Sequence, residues 1–352
     1  MIEQSGQTNT VAESQVDVVR RNSAPFNPWR LSVAPMIAWT DRHCRFFHRL
    51  LTREARLYTE MITTGALIHG NVPLHLDFNE VEHAVALQLG GSEPADLAHC
   101  AKLGERWGYD EINLNCGCPS ERVLKGAFGA CLMNEPQLVA DGVKAMRDAV
   151  SIPVTVKHRI GIDDETRYSF VRDFVGTIAD AGCEVFIVHA RNAWLKGLSP
   201  KENREIPPLR YEVAHQLKRD FPQLTIVING GITNDEAVEH HLAHVDGVMV
   251  GREAYHRPWW LTEWDARYFG AAPSTLTMDE VEDAMCAYIE RACAKREDLY
   301  WPAITRHMLG MRQGLKGSRR WRQVLSDFRL KHGPVREAFA LAHQPAAAAV
   351  TA

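Results

Sequence analysis

The chain has no apolar run approaching the ~18 residues of a membrane span, and its opening, MIEQSGQTNT, lacks the basic-then-apolar order of a secretory leader. A soluble, cytoplasmic protein without a membrane partner is therefore expected. An overall basic excess is also missing. Forty Lys and Arg stand against 44 Asp and Glu, a formal net charge of −4, which argues against diffuse attraction to nucleic acid and leaves only a local patch to look for. The eight cysteines (44, 100, 116, 118, 131, 183, 286 and 293) fall mostly in apolar, periodic segments and lack the dense spacing of a disulfide scaffold. A reducing compartment follows. Cys116 and Cys118 form a C-x-C with no second paired cluster, which is not a zinc signature, so no metal is expected. No G-x-G-x-x-G follows the first apolar run, where Ala34-Pro35-Met36 stands instead, and this argues against an open doubly wound sheet.

What is present is a long alternation. Residues 1–27 and 343–352 read as flexible tails. Between them, short β-branched or apolar runs near 31–36, 56–61, 84–89, 111–115, 153–158, 184–189, 225–229 and 247–250 alternate with segments of helical period. Helix starts are marked by Thr40-Asp41, Glu93-Pro94 and Asn234-Asp235-Glu236. Alternation of this kind predicts an α/β fold, a (β/α)8 TIM barrel over 28–272. The strand pattern then stops. Residues 277–296 and 302–340 read as amphipathic helices, forming an all-helical domain over 273–342 in which basic residues far outnumber acidic ones between Arg291 and Lys331. Such a run is commonly a solvated face, but Trp301, His307 and Trp321 interleave with the charges, so base stacking beside phosphate contacts is a candidate role.

The most informative segment is INLNCGCPS, Ile112 to Ser120. A strand running into Cys-Gly-Cys-Pro leaves the Cys118 thiol at its carboxyl end, where barrel enzymes carry their chemistry, with Asn113 and Asn115 offering amide hydrogen bonds. The alternative is that the amides cap a turn and the cysteines fill the core. Other predicted strand ends are equally polar: Gln88, Lys157-His158-Arg159, His189-Ala190-Arg191, Asn229-Gly230-Gly231 and Gly251-Arg252. Glycines after the last two strands let backbone N–H groups approach a phosphate, with Arg252 as a charged partner. A phosphate cradle with Gln, Lys and Asn around the same mouth suits flavin mononucleotide, whose reduced ring a lysine stabilises.

The combination of APM at 34–36, QLGG at 88–91, INLNCGCPS at 112–120, VKHRIG at 156–161, HAR at 189–191, NGGI at 229–232 and VGR at 250–252 resembles the tRNA-dihydrouridine synthases. The stretch from Ala190 to Tyr211 resembles their A subfamily, which modifies positions 20 and 20a of the tRNA D-loop; Asn192 departs from the basic residue that subfamily tends to carry after HAR. The resemblance implies FMN contacts from Pro35, Met36, Ile37, Gln88, Lys157, His189, Asn229, Gly230, Gly231, Gly251 and Arg252. It implies Cys118 as the proton donor, Asn115 against the substrate nucleotide, and tRNA contacts from Lys201, Arg204, Arg319 and Arg322. Cys116 is a structural neighbour in this reading. The implied reaction reduces uridine to 5,6-dihydrouridine, with hydride passing from NADPH, or NADH as the alternative, through the flavin N5 to C6, and a proton from Cys118 to C5. A thiol is mostly protonated at neutral pH and needs no special tuning to act as an acid. No obligate protein partner is evident. Two rivals remain: a dihydroorotate-dehydrogenase-like flavoprotein, which has no use for the basic extension, and a non-catalytic RNA-binding barrel, against which an intact Lys157 and Cys118 argue.

Overall fold

A computed structural model describes residues 26–120 and 128–344; most of the two predicted tails lies outside the described residues. Eight parallel strands form one sheet: β1 Leu31–Val33, β2 Leu57–Thr63, β3 Val85–Gly90, β4 Glu111–Cys116, β5 Val154–Arg159, β6 Val185–His189, β7 Thr225–Asn229 and β8 Gly247–Val250. Neighbours in sequence are neighbours in space, and β1 pairs with β8, as in Leu31↔Val248 and Val33↔Val250. The remaining gap, between β1 and β2, is spanned by a Ser32↔Arg56 bridge. This is the (β/α)8 barrel expected from the alternation. Most strand residues are buried on both faces, β3 along its whole length, as parallel strands covered by helices require.

Helix starts follow local chemistry. The Asp41 side chain accepts from the N–H groups of His43 and Cys44 to cap Arg42–Leu51, Asn234 caps Asp235–Leu242, and Thr277 with Glu280 forms a reciprocal capping box on Met278–Lys295. Two boundaries differ from expectation. β1 stops at Val33: Ala34 still donates to Val250 O at 2.8 Å, but Pro35 has no N–H with which to continue the ladder. The 302–340 stretch is broken into Pro302–Thr305, Ser318–Leu325 and Val335–His343 with 3-10 turns between them, because Gly314 and Gly317 take left-handed φ of +82° and +87° and Pro334 starts a new helix. Two residues from the expected tails contact the body of the fold. Asn27 donates to Asp246 O at 2.9 Å, and His343 lies within 2.7 Å of Glu282.

Trp301, His307 and Trp321 correct the base-stacking expectation, since all three are buried. The Trp321 indole donates to Met308 O at 3.0 Å, and His307 Nε2 lies 3.1 Å from the Asp41 carboxylate. Arg306 joins His307 on Asp41, at 2.6 Å, and donates to Ala38 O at 2.7 Å. The carboxyl-terminal helices are thereby tied to the loop that follows β1.

The barrel interior is narrow and mixed. An apolar layer of Ala34, Tyr58, Ala86, Val185, Ile187, Val227 and Met249 surrounds a column of polar side chains. Buried Glu111 accepts from Tyr58 at 2.9 Å, Thr155 at 2.5 Å and Trp29 at 2.8 Å, and pairs with Arg56 at 3.1 Å. Asn113 donates to Thr155 at 2.8 Å and accepts from Gln88 at 2.7 Å. Removing the carboxylate leaves Arg56 buried and uncompensated, so Glu111→Ala should cost about 3–5 kcal/mol of stability, read from urea unfolding. A loss below ~1 kcal/mol, the level of an exposed pair, would show that the column does not hold the barrel.

Candidate active site

The column continues upward into the cysteine turn. The Asn115 amide donates to Gln88 Oε1 at 2.8 Å, and its Oδ1 accepts from the N–H groups of Gly117 at 3.0 Å and Cys118 at 2.9 Å. Asn115 therefore caps the turn, the role that the plainer reading of the motif foresaw, and faces the mouth while doing so. Asn113, one register position lower on the same face, is fully buried and links strands. Cys118 is half-exposed, with Ser120 Oγ 3.5 Å from its sulfur. Cys116 points the other way into the core, where burial pushes its thiol pKa up.

Alternation along β5 sends Lys157 and Arg159 to the mouth and His158 outward, against Phe174 and Phe186. Lys157 Nζ donates to Asn229 Oδ1 at 3.0 Å, and Asn229 Nδ2 donates to Met249 O at 2.8 Å. No carboxylate pairs with Lys157 among the described residues. Desolvation, reinforced by the Arg159 charge, pulls its pKa from 10.5 down to about 7. Arg159 is buried and donates only to carbonyls: Gly117 at 3.2 Å, Asn192 at 3.2 Å and Asn203 at 3.0 Å. Desolvation draws Arg159 down to about 9. His189 sits among the same cations, and burial followed by their repulsion holds it well below its ordinary pKa, hence neutral. Arg159 was visible only as a polar strand end. Its i, i+2 spacing from Lys157 was the available signal for a shared face.

The glycines after β7 meet the requirements of a close-approach turn. Gly230 and Gly231 have φ of +116° and +70°; a Cβ on Gly230 would stand 2.8 Å from His189 Cδ2, and one on Gly231 would stand 2.5 Å from Leu209 Cδ1. Gly251 adds open backbone, the nearest atom to an added Cβ being Ala34 Cβ at 3.8 Å. Arg252, expected on the phosphate, is paired with Glu205 at 2.6 Å. Pro35 and Met36, after β1, are half-buried on the adjoining rim and Ile37 is exposed. The structure thus brings together at one mouth Pro35, Met36, Gln88, Asn115, Cys118, Lys157, His189, Asn229 to Gly231, Gly251 and Arg252. Lys201 and Arg204 are exposed on the loop after β6, and Arg319 and Arg322 are exposed on the helix Ser318–Leu325 in the carboxyl-terminal segment.

The donor set suits a flavin phosphate and ring: backbone N–H groups free of Cβ atoms, a cation without a counter-ion, and amides already ordered by one another. Comparison with known proteins agrees. Residues 32–347 match the family described as Dihydrouridine synthase (Dus). The chain is 60% identical over 312 residues to the tRNA-dihydrouridine(20/20a) synthase of Salmonella typhimurium, covering 88% of this chain and 93% of that one. It is 61% identical over 305 residues to the protein of the same name from Escherichia coli K12, covering 86% and 88%. For that of Vibrio cholerae the figures are 58% over 305 residues, 86% and 92%. With polar strand ends, glycine turn and cysteine motif on one barrel mouth, and matches running through nearly its whole length, the chain belongs to the dihydrouridine synthase family of oxidoreductases.

Proposed function

We propose that this protein reduces uridine to 5,6-dihydrouridine at positions 20 and 20a of tRNA, with FMN as its resident cofactor, NADPH as reductant and Cys118 as the proton donor. The observation that carries the reading is a half-exposed thiol at the same mouth as Lys157 and Arg159, two cations with no carboxylate partner among the described residues. FMN held there would supply the hydride chemistry at C6 of the pyrimidine, with NADPH as the reductant. The chain's own residues do the rest. Gly230, Gly231 and Gly251 present backbone N–H groups to the phosphate, Arg252 exchanges its Glu205 partner for that anion or shares it, and Lys157 balances negative charge on the ring. Pro35, Met36, Ile37, Gln88, His189 and Asn229 border the ring. Asn115 touches the substrate nucleotide, and Cys118 delivers its proton to C5.

The target base must leave its stack to reach this mouth, at a cost of a few kcal/mol. In this proposal Lys201 and Arg204 on the barrel, and Arg319 and Arg322 on residues 273–342, offset that cost through phosphate contacts. Residues 28–272 then form the catalytic unit and 273–342 a tRNA-binding unit. The Arg306 and buried His307 contacts to Asp41 hold the second against the first.

Mass mapping of tRNA from a strain lacking the gene, with and without the gene restored, tests the activity. Dihydrouridine at 20 and 20a should vanish and return; persistence at both positions would reject the reading.

Lys157 gives a second test, on flavin-free protein. Its folded pKa of about 7 lies below the ordinary 10.5, so between these values the unfolded chain binds the extra proton. Stability should therefore rise with pH across that window, and below it the penalty is fully present. The difference between wild type and Lys157→Met, followed by urea unfolding at pH 7 and pH 9.5, isolates this term. The wild type should gain on the variant as pH rises, and the variant should lose flavin retention. An equal pH slope in both proteins would mean that Lys157 is not desolvated at the mouth.

A further inference from the structure

On the outer wall, away from the mouth, four histidines gather. His215 lies on the helix Tyr211–Asp220, and His240 and His241 lie on the helix Asp235–Leu242. His244 follows in a turn that continues the second helix, its N–H donating to His241 O at 2.9 Å. The i, i+4 spacing sets His240 and His244 on one face. Ring centroids are 4.5 Å apart for His215 and His244, 5.3 Å for His240 and His244, and 6.1 Å for His215 and His240. The ion-paired histidines among the described residues are His83, His307 and His343, so none of these four carries a carboxylate. Nothing in the dihydrouridine chemistry uses them.

We propose that His215, His240 and His244 bind a divalent first-row transition-metal ion of the Zn²⁺, Co²⁺ and Ni²⁺ class, with His241 orienting His215. Three imidazoles held by bonds of about 2.0–2.1 Å to one ion keep their centroids roughly 4.5–6 Å apart; two of the three separations already fall there, and the His215–His240 pair, at 6.1 Å, closes as the rings turn. His215 Nε2 lies 3.2 Å from His241 Nδ1. With the proton on His215 Nε2 and donated to His241, the His215 Nδ1 lone pair is free for the ion, the usual way in which an outer partner fixes a ligand's tautomer. An all-imidazole set selects this class of ion over Mg²⁺ and Ca²⁺, which take oxygen ligands. Among the described residues no three ligating groups already converge on one point, so His240 and His244 turn to aim their nitrogens. Both are exposed, and such rotamer changes are fast.

The location gives the site a structural consequence. The Tyr211 ring packs 4.4 Å from His241, and its hydroxyl donates to Gly230 O at 2.8 Å. An ion joining the two helices braces the wall behind the Gly230–Gly231 turn.

Titration of the flavin-loaded protein with Co²⁺, followed by calorimetry and visible absorption, tests the site. One ion per chain should bind saturably, with about tenfold or greater weakening in both His215→Gln and the double variant His240→Gln/His244→Gln. Zn²⁺ should raise the melting temperature of the wild type and not of the double variant, and the two should melt alike in EDTA, which separates lost ligands from lost fold. Co²⁺ binding with unchanged stoichiometry and affinity in the double variant, or no saturable binding by the wild type, would overturn the proposal.

Discussion

A polar column inside an apolar barrel is the constraint on which this structure turns. Glu111, Thr155, Asn113, Gln88 and Asn115 form an unbroken hydrogen-bonded chain from the buried carboxylate to the backbone of Gly117 and Cys118. Buried polar groups are costly without partners, so each member fixes its neighbour. A one-residue slip of β4 would turn Glu111, Asn113 and Asn115 outward together and orphan all of these bonds. The same requirement that sets strand register therefore sets the height and direction of the cysteine turn. Local precision at the site comes from the barrel's interior and not from the loop alone.

Above the column the constraint is charge. Lys157, Arg159 and the neutral His189 meet at the mouth, and among the described residues the two cations have only amides and carbonyls for partners. Desolvation without a counter-ion leaves them in an environment that favours a bound anion. Glu205 is the nearby acid, and it is engaged with Arg252. In the proposed function, a phosphate at Gly230 and Gly231 and an electron-rich ring beside Lys157 would complete this arrangement, cofactor and protein stabilising each other through one field.

Much of this was legible in the sequence. The strands emerged because parallel barrel strands are continuous apolar runs, and their polar ends stood out against them. Cap residues such as Asp41, Asn234 and Thr277 marked helix starts through chemistry confined to three or four positions. What stayed hidden depends on contacts distant in the chain. Trp301, His307 and Trp321 sit among exposed arginines in sequence, yet their partners, Gly333, Asp41 and Met308, draw them into the core. Asn113 and Asn115 look alike in the motif, but depth within the barrel makes one a strand link and the other a turn cap. The histidine group was equally invisible, because His215 meets His241 across 26 positions.

The central claim is that Cys118 supplies the proton while the surrounding cations serve the cofactor. Stopped-flow measurement of the two half-reactions in Cys118→Ala and Cys116→Ala separates these roles most directly. In Cys118→Ala, bleaching of the flavin by NADPH should keep its wild-type rate, since that step takes no proton from this thiol, and reoxidation by tRNA should fall by about 100-fold or more. Cys116→Ala should leave both rates near wild type and lower stability instead. Wild-type reoxidation by tRNA in Cys118→Ala would contradict the account and return the proton to another donor.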